Sequence, residues 1–354
     1  MTNIQISLPK LHKSVIHVYG KIQPSLPHYI IDTVEKKRFE QLLDDFTKLK
    51  LSFPNSFDEN NLLWVSFSIV GEDEIPAVFK IIFQEPHIVP IPIFWIRAEL
   101  SASFERNQLL ENLVDWHEDD SDRLALFDKF LTDDVGERLQ QAVLISNIAT
   151  PGTINLKKAI AQSSYRGLHS FHSICSTLMD ARQNAELLNW PPVKDLSLFE
   201  VAQWVENNSL CTKQGNSTLS RAFNAYTHLF GGFNEVRANE ILLYSLIGIE
   251  AIYNDSKEQV GQQINQKCQT FLGSLTTFKK KLTQMYSYRS GFVHGGEPFP
   301  SKFDRADATE GFEQYELKIT EAGKLGSMVL ISTLQRMSEL QLNDIKFRYE
   351  LVTD

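Results

Sequence analysis

Arg289 and His294 stand five positions apart in the run Tyr286-Ser287-Tyr288-Arg289-Ser290-Gly291-Phe292-Val293-His294-Gly295-Gly296. An arginine offers a planar fork of donors that matches a phosphate. A histidine changes charge near neutral pH and passes protons to or from a hydroxyl. Together they suit phosphodiester chemistry that needs no metal. Their spacing also sets a condition. On one continuous helix five positions turn the chain by about 500°, leaving the side chains roughly 140° apart. A helix break near Gly291 or Gly295, where glycine commonly caps a C-terminus, is what would let His294 swing back beside Arg289.

Two other clusters invite a chemical reading and support it less well. Residues 111–137 hold ten acids against Arg123 and Lys129. Asp115, Glu118, Asp119, Asp120 and Asp122 within that stretch lack the glycine and the alternating oxygen ligands of a calcium loop. They read as a solvated acidic face or a patch for a basic partner. His169, His172 and Cys175 fall at threes, a spacing that puts them on one face of a helix. No further ligand motif accompanies them, so structural packing is the reading rather than zinc. No metal and no cofactor is expected.

The elements that must position Arg289 and His294 come from a chain of 354 residues, enough for two domains, with 42% hydrophobic and 22% charged residues. There is no run of eighteen apolar residues, so no membrane span is expected. Met1-Thr2-Asn3-Ile4-Gln5 carries neither a basic region nor an apolar signal core. Cys175, Cys211 and Cys268 are odd in number and far apart, which argues against a disulfide framework. A cytoplasmic protein is the expectation. Residues 1–215 carry 20 Lys and Arg against 28 Asp and Glu, and 216–354 carry 15 against 16. Within the second part, Lys257, Lys267, Lys279, Lys280, Lys281 and Arg289 form a basic strip leading into the Arg-His run. A polyanion, if bound, is bound locally.

Residues 1–150 mix strand and helix signals and predict an α/β sensor or regulatory domain. Val15–Gly20, Leu62–Val70, Ala77–Phe83 and Ile93–Ile96 are rich in β-branched and aromatic residues, as strands are. Pro86, Pro90 and Pro92 confine their stretch to an edge or an irregular connection. Residues 34–50 have helical spacing, and 105–145 turn helical and acidic. Residues 151–215 read as a helical connector, with breakers at Asn189-Trp190-Pro191-Pro192 and again between Asn207 and Ser217. Residues 216–354 predict an all-α bundle: a helix from an N-cap near Ser217 through Phe223, Tyr226, Leu229 and Phe230, then helices over about 235–254, 258–272, 275–290 and 308–342, the last with a possible break at Gly311 or Gly323. The fold class is therefore α+β, a mixed N-terminal domain followed by a helical bundle.

In this setting the ordered set Ile249-Glu250-Ala251-Ile252-Tyr253, then Ile264 to Phe271-Leu272-Gly273, then Met285 to Gly295 resembles the Apea-like branch of the HEPN superfamily. The resemblance covers about 216–345. Many HEPN ribonucleases carry Asn directly after the arginine; here that place is Ser290, which still offers a hydroxyl.

The resemblance implies a HEPN-like bundle acting as a metal-independent endoribonuclease, with the motifs of two protomers meeting in a homodimer. RNA supplies its own nucleophile, the 2′-hydroxyl. His294 would serve as general base or acid, and Arg289 would hold the phosphate and stabilise its developing charge. Ser290 would orient the phosphate or His294, and Glu250 would orient a ring nitrogen or anchor Arg289. Tyr286 and Tyr288 are candidates for stacking on bases, and Lys279 and Lys281 for backbone contacts. The products would be a 2′,3′-cyclic phosphate and a 5′-hydroxyl. The family further implies phage defence or toxin-like growth arrest, with a protein or phage-derived trigger read by residues 1–150. Two other readings stand beside it. One is a non-catalytic HEPN module for dimerisation or ligand binding, with function carried by the N-terminal domain. The other is a nucleotide-binding regulator.

Overall fold

The computed structural model describes residues 11–24, 33–55, 58–82, 93–113, 119–163, 167–174, 178, 181–211, 215–231, 237–254, 258–274, 279–297 and 310–348. The chain alternates between two compact units. One comprises Met1–Gln23, Leu43–Val143 and Leu156–His172, and the other Pro24–Leu42, Leu144–Asn155 and Ser173–Asp354.

The first unit is built on a six-stranded sheet with strands β1 (Leu11–Pro24), β2 (Lys50–Asn55), β3 (Asp58–Val70), β4 (Phe94–Glu105), β5 (Ile154–Ser163) and β6 (Gly167–Ser173). Their order is β2-β3-β4-β1-β5-β6. β1 runs antiparallel to β4, with Leu11 opposite Glu105 and Ile22 opposite Phe94, and β3 is antiparallel to both β2 and β4. Because successive side chains alternate between faces, this register sends Ile16, Val18, Ile96, Ala98, Leu100, Val65 and Phe67 into one core. Helix α4 (Asp120–Ala149) packs on that face through Phe127, whose ring meets Phe104 edge-on at 4.7 Å. On the opposite face Tyr19, Val70, Ile75, Phe79 and Ile160 cluster with Trp95 against them.

Most of the expected elements of this unit form. The runs at Val15–Gly20, Leu62–Val70 and Ile93–Ile96 lie in or against β1, β3 and β4, and the helical spacing at 34–50 becomes α1 (Thr33–Lys48). The segment after 105 gives α3 (Arg106–Asn112) and α4. Ala77–Phe83 corrects the strand reading: α2 spans Ala77–Ile82. Pro76 starts the turn, its carbonyl accepting from the amides of Phe79 and Lys80 at 2.9 and 3.2 Å. Phe79 then buries in the cluster while Ala77 and Val78 stay exposed. Short apolar runs do not distinguish strand from helix by period. Phe83 and the prolines at 86, 90 and 92 lie outside the described residues.

The helical reading of 151–215 also needs correction, because β5 and β6 lie there and complete the sheet. β6 leans on α4 where Gly136 leaves room for the Phe171 ring; a Cβ at that glycine would sit 2.1 Å from the ring. His169 and His172 are thus on a strand, not a helix face, and Cys175 lies outside the described residues.

The second unit is helical. It contains α5 (Ala181–Leu188), α6 (Leu198–Asn207), α7 (Thr218–Thr227), α8 (Ala238–Tyr253), α9 (Val260–Leu272), α10 (Lys279–His294) and α11 (Glu310–Glu339). The Ser217 hydroxyl caps α7, accepting from the Ser220 amide at 3.0 Å, as the sequence led us to expect. α11 is unbroken for 30 residues. Its glycines allow close approach rather than a bend. A Cβ on Gly323 would lie 3.1 Å from the Ala238 carbonyl and one on Gly326 3.0 Å from Ser245, while Gly248 of α8 faces Leu330 of α11. The apolar α8 is thereby pressed along α11, with Leu242, Leu246 and Ile249 wholly buried. Burial of each such side chain contributes roughly 1.5–3 kcal/mol.

Candidate functional site

α10 carries the Arg-His run on one continuous helix. Of the two expected ends, near Gly291 or Gly295, the second forms: the helix runs through Gly291 and ends only after His294. Gly295, at φ 76°, takes the left-handed conformation that terminates it. The amides of Gly296 and Glu297 turn back to the Gly291 carbonyl at 2.8 and 3.2 Å. Gly291 itself makes room for the returning chain, since a Cβ there would lie 2.3 Å from Glu297 Cγ. Arg289 and His294 of one chain consequently project about 140° apart and about 7.5 Å apart along the axis. They do not meet within a single chain.

Arg289 is held by α8. Its Nη2 donates to Glu250 Oε2 at 3.0 Å, with side-chain exposures of 23% and 18%. Of the two roles considered for Glu250, anchoring Arg289 is the one this contact matches. Glu250 Oε1 and Arg289 Nε are both shut off from solvent with no hydrogen-bond partner among the described residues. Burial pushes the Glu250 carboxyl above its ordinary range, and the guanidinium opposes that shift. Tyr286, one turn before Arg289, packs its ring on α9 at Gly261, where a Cβ would come within 2.7 Å. Its phenol is raised by burial first and by the Glu250 charge second. Tyr286 is therefore a packing residue next to the ion pair.

The remaining candidates scatter around the same helix. His294 is exposed and makes no hydrogen bond or ion pair with a described residue. Ser290 is half-buried. Tyr288 accepts a hydrogen bond from Gln284 at 2.9 Å and lines a cleft between α5, α10 and α11. Lys281 is exposed on that side, with Glu321 at 3.9 Å. Lys279 opens the helix, and its side chain lies outside the described set, as does Lys257. Lys267 does not belong to a basic surface strip. It is 2% exposed, donating to Gln263 at 3.1 Å and lying over the Phe347 ring. No feature of the sequence marked Asn184, Lys318 or Lys324, which the fold brings to the Tyr288 cleft from α5 and α11.

In the sheet unit His169, His172, Asp119 and Asp120 have structural partners. His169 Nδ1 lies 3.1 Å from Asp133, and His172 Nδ1 lies 3.0 Å from the Lys157 carbonyl. Asp119 accepts from the amides of Ser121 and Asp122 at the start of α4. Together with the Ser121 hydroxyl, which also donates to it and counts most, these bonds hold its carboxyl below the usual range. Asp120 pairs with Arg123, while Asp115 and Glu118 lie outside the described residues. Among the described residues no group of three or more His, Cys, Asp or Glu is placed to hold a metal, and no helix is long and apolar enough to cross a membrane.

No protein-family model matches the sequence, and no curated protein or solved structure matches it. The class that fold and site define is thus a two-unit protein, sheet-based and helical, whose helical unit carries an anchored arginine and an exposed histidine on one helix.

Proposed function

We propose that the chain is a metal-independent endoribonuclease of HEPN type that works as a homodimer. The observation that carries this reading is the α10 arrangement: Arg289 is gripped by Glu250, while His294 is presented to solvent at the helix end. A guanidinium anchored through one nitrogen keeps other donors for a phosphate. Because the two side chains of one helix diverge by about 140°, a complete site takes Arg289 from one protomer and His294 from its partner.

In the reaction His294 accepts the proton of the RNA 2′-hydroxyl, the 2′-oxygen bonds to phosphorus, and the bond to the 5′-oxygen breaks. The leaving oxygen is protonated by the histidinium so formed or by water, leaving a 2′,3′-cyclic phosphate and a 5′-hydroxyl. Arg289 neutralises the charge that builds on the phosphoryl oxygens. Ser290 flanks this chemistry as a phosphate contact. Phage defence or self-directed growth arrest is the setting we propose, with the sheet unit as the sensor.

The test is cleavage of mixed RNA in EDTA by the wild type and by the His294→Ala and Arg289→Ala variants. Wild-type cleavage with cyclic-phosphate ends, lost in both variants, supports the reading. Three equally inert proteins overturn it and leave the Glu250–Arg289 pair as a brace within a non-catalytic module.

A further inference from the structure

The cleft between α5, α10 and α11, on a different face of α10 from Arg289, holds chemistry that the ribonuclease reading does not use. It encloses about 240 Å³. Its floor is apolar: Met285, Met328, Leu325 and Ala322 are all buried. Trp190 closes one end with its indole N–H already given to the Gly273 carbonyl at 2.9 Å, so its ring rather than its polar edge is offered. Leu187, 82% exposed, stands on the rim.

The charged groups are mostly of one sign. Lys281, Lys318 and Lys324 line the cleft against the single acid Glu321, three positive charges minus one negative, or +2. Lys318 is exposed and makes no ion pair with a described residue. Asn184 Nδ2 is buried at the wall with no hydrogen-bond partner among the described residues, which costs the empty protein the solvation of that donor. An apolar floor with a small number of placed polar groups is how small-molecule pockets are built. Here the convergent groups are donors and cations, so the complement is a ligand with a carbon body and an oxyanion head.

We propose that this cleft binds a small amphipathic anion, an aliphatic or aromatic body carrying a carboxylate or a phosphate. The body lies on Met285, Met328 and Trp190. The head group meets Lys318 and accepts from Asn184. The site stands apart from the ribonuclease reading and survives if that reading fails.

Calorimetric titration of the full chain with decanoate, 1-naphthyl phosphate and neutral decanol tests it. One equivalent of decanoate or of naphthyl phosphate should bind per chain, and whichever binds more tightly identifies the head group. Decanol should bind at least tenfold more weakly. Lys318→Glu and Leu187→Glu, both at exposed positions, should each weaken the bound acid tenfold or more with unchanged melting temperature. Asn184→Ala should weaken binding too, while leaving the empty protein as stable or more so. Failure of both acids to bind, decanol binding equal to theirs, or affinity unmoved by Lys318→Glu and Leu187→Glu overturns the proposal.

Discussion

Histidine is used differently in the sheet unit and at the end of α10. In the sheet unit His12 lies 3.1 Å from Asp128, His17 3.2 Å from Glu99 and His169 3.1 Å from Asp133, and His172 meets a carbonyl. Each of these rings joins one element to another: α4 to β1 or β6, β1 to β4, and β6 to β5. In the helical unit His294 sits at the end of α10, exposed and without a described partner. Arginine shows the reverse contrast within that unit, since Arg289 is mostly withdrawn from solvent and clamped to Glu250. A histidine whose nitrogens are committed to the fold has little left for a substrate, whereas an exposed ring can exchange protons with one. Residue type says what a side chain is able to do; its neighbours say whether it is free to do it.

The largest expected effect tests that contrast directly. His294→Ala should lower RNA cleavage by about 10²–10⁴-fold without moving the melting temperature. His12→Ala should do the opposite, lowering the melting temperature while leaving cleavage per folded molecule intact. If His12→Ala proves as inactive as His294→Ala while still folded, the contrast collapses. Next in size, Arg289→Ala should cost about 10²–10³ in cleavage rate. Arg289→Lys should rescue little of it, because a point charge does not reproduce the guanidinium fork; full rescue would mean that only charge matters there.

Asp128→Ala should destabilise the sheet unit by about 1–3 kcal/mol in urea unfolding. The change strands the Ser14 hydroxyl, 2% exposed and donating to Asp128 at 2.6 Å, along with His12. A neutral result would show that solvent replaces the carboxylate. The smallest effect is a slope. Burial raises the Glu250 carboxyl above its ordinary 4.5, so the native state holds that proton more readily than the unfolded chain. Its contribution is therefore fully present below pH 4.5 and is lost as pH rises through the raised value. Glu250→Gln should flatten that part of the stability profile relative to wild type, and an unchanged profile would remove burial as the cause.

Much of the architecture was legible in local pattern. The β-branched runs in β1 and β3 and the Ser217 cap each carry a signal within a few residues. The strands at β5 and β6 did not, because Ile154–Ser163 gains its place in the sheet from β1, far away in sequence, and Gly167–Ser173 then adds to β5. α2 is not legible in local pattern because six residues are too few for a period to declare itself. Gly323 looked like a break because the sequence does not reveal a backbone 3.1 Å away.

For the candidate site, the sequence alone determined which chemistry is on hand: an arginine, a histidine and a serine within six positions, a glycine to end the helix, and an acid 39 residues earlier. Only the tertiary structure decided how they are deployed. It put Glu250 against Arg289, because α8 and α10 pack side by side. It kept His294 in solvent and on another face, because the helix runs unbroken to Gly295. It also assembled the Tyr288 cleft from three helices that share no local signal. Covalent order sets the angle between two side chains on one helix, but contact between helices depends on which apolar faces bury each other, and that is a property of the whole unit.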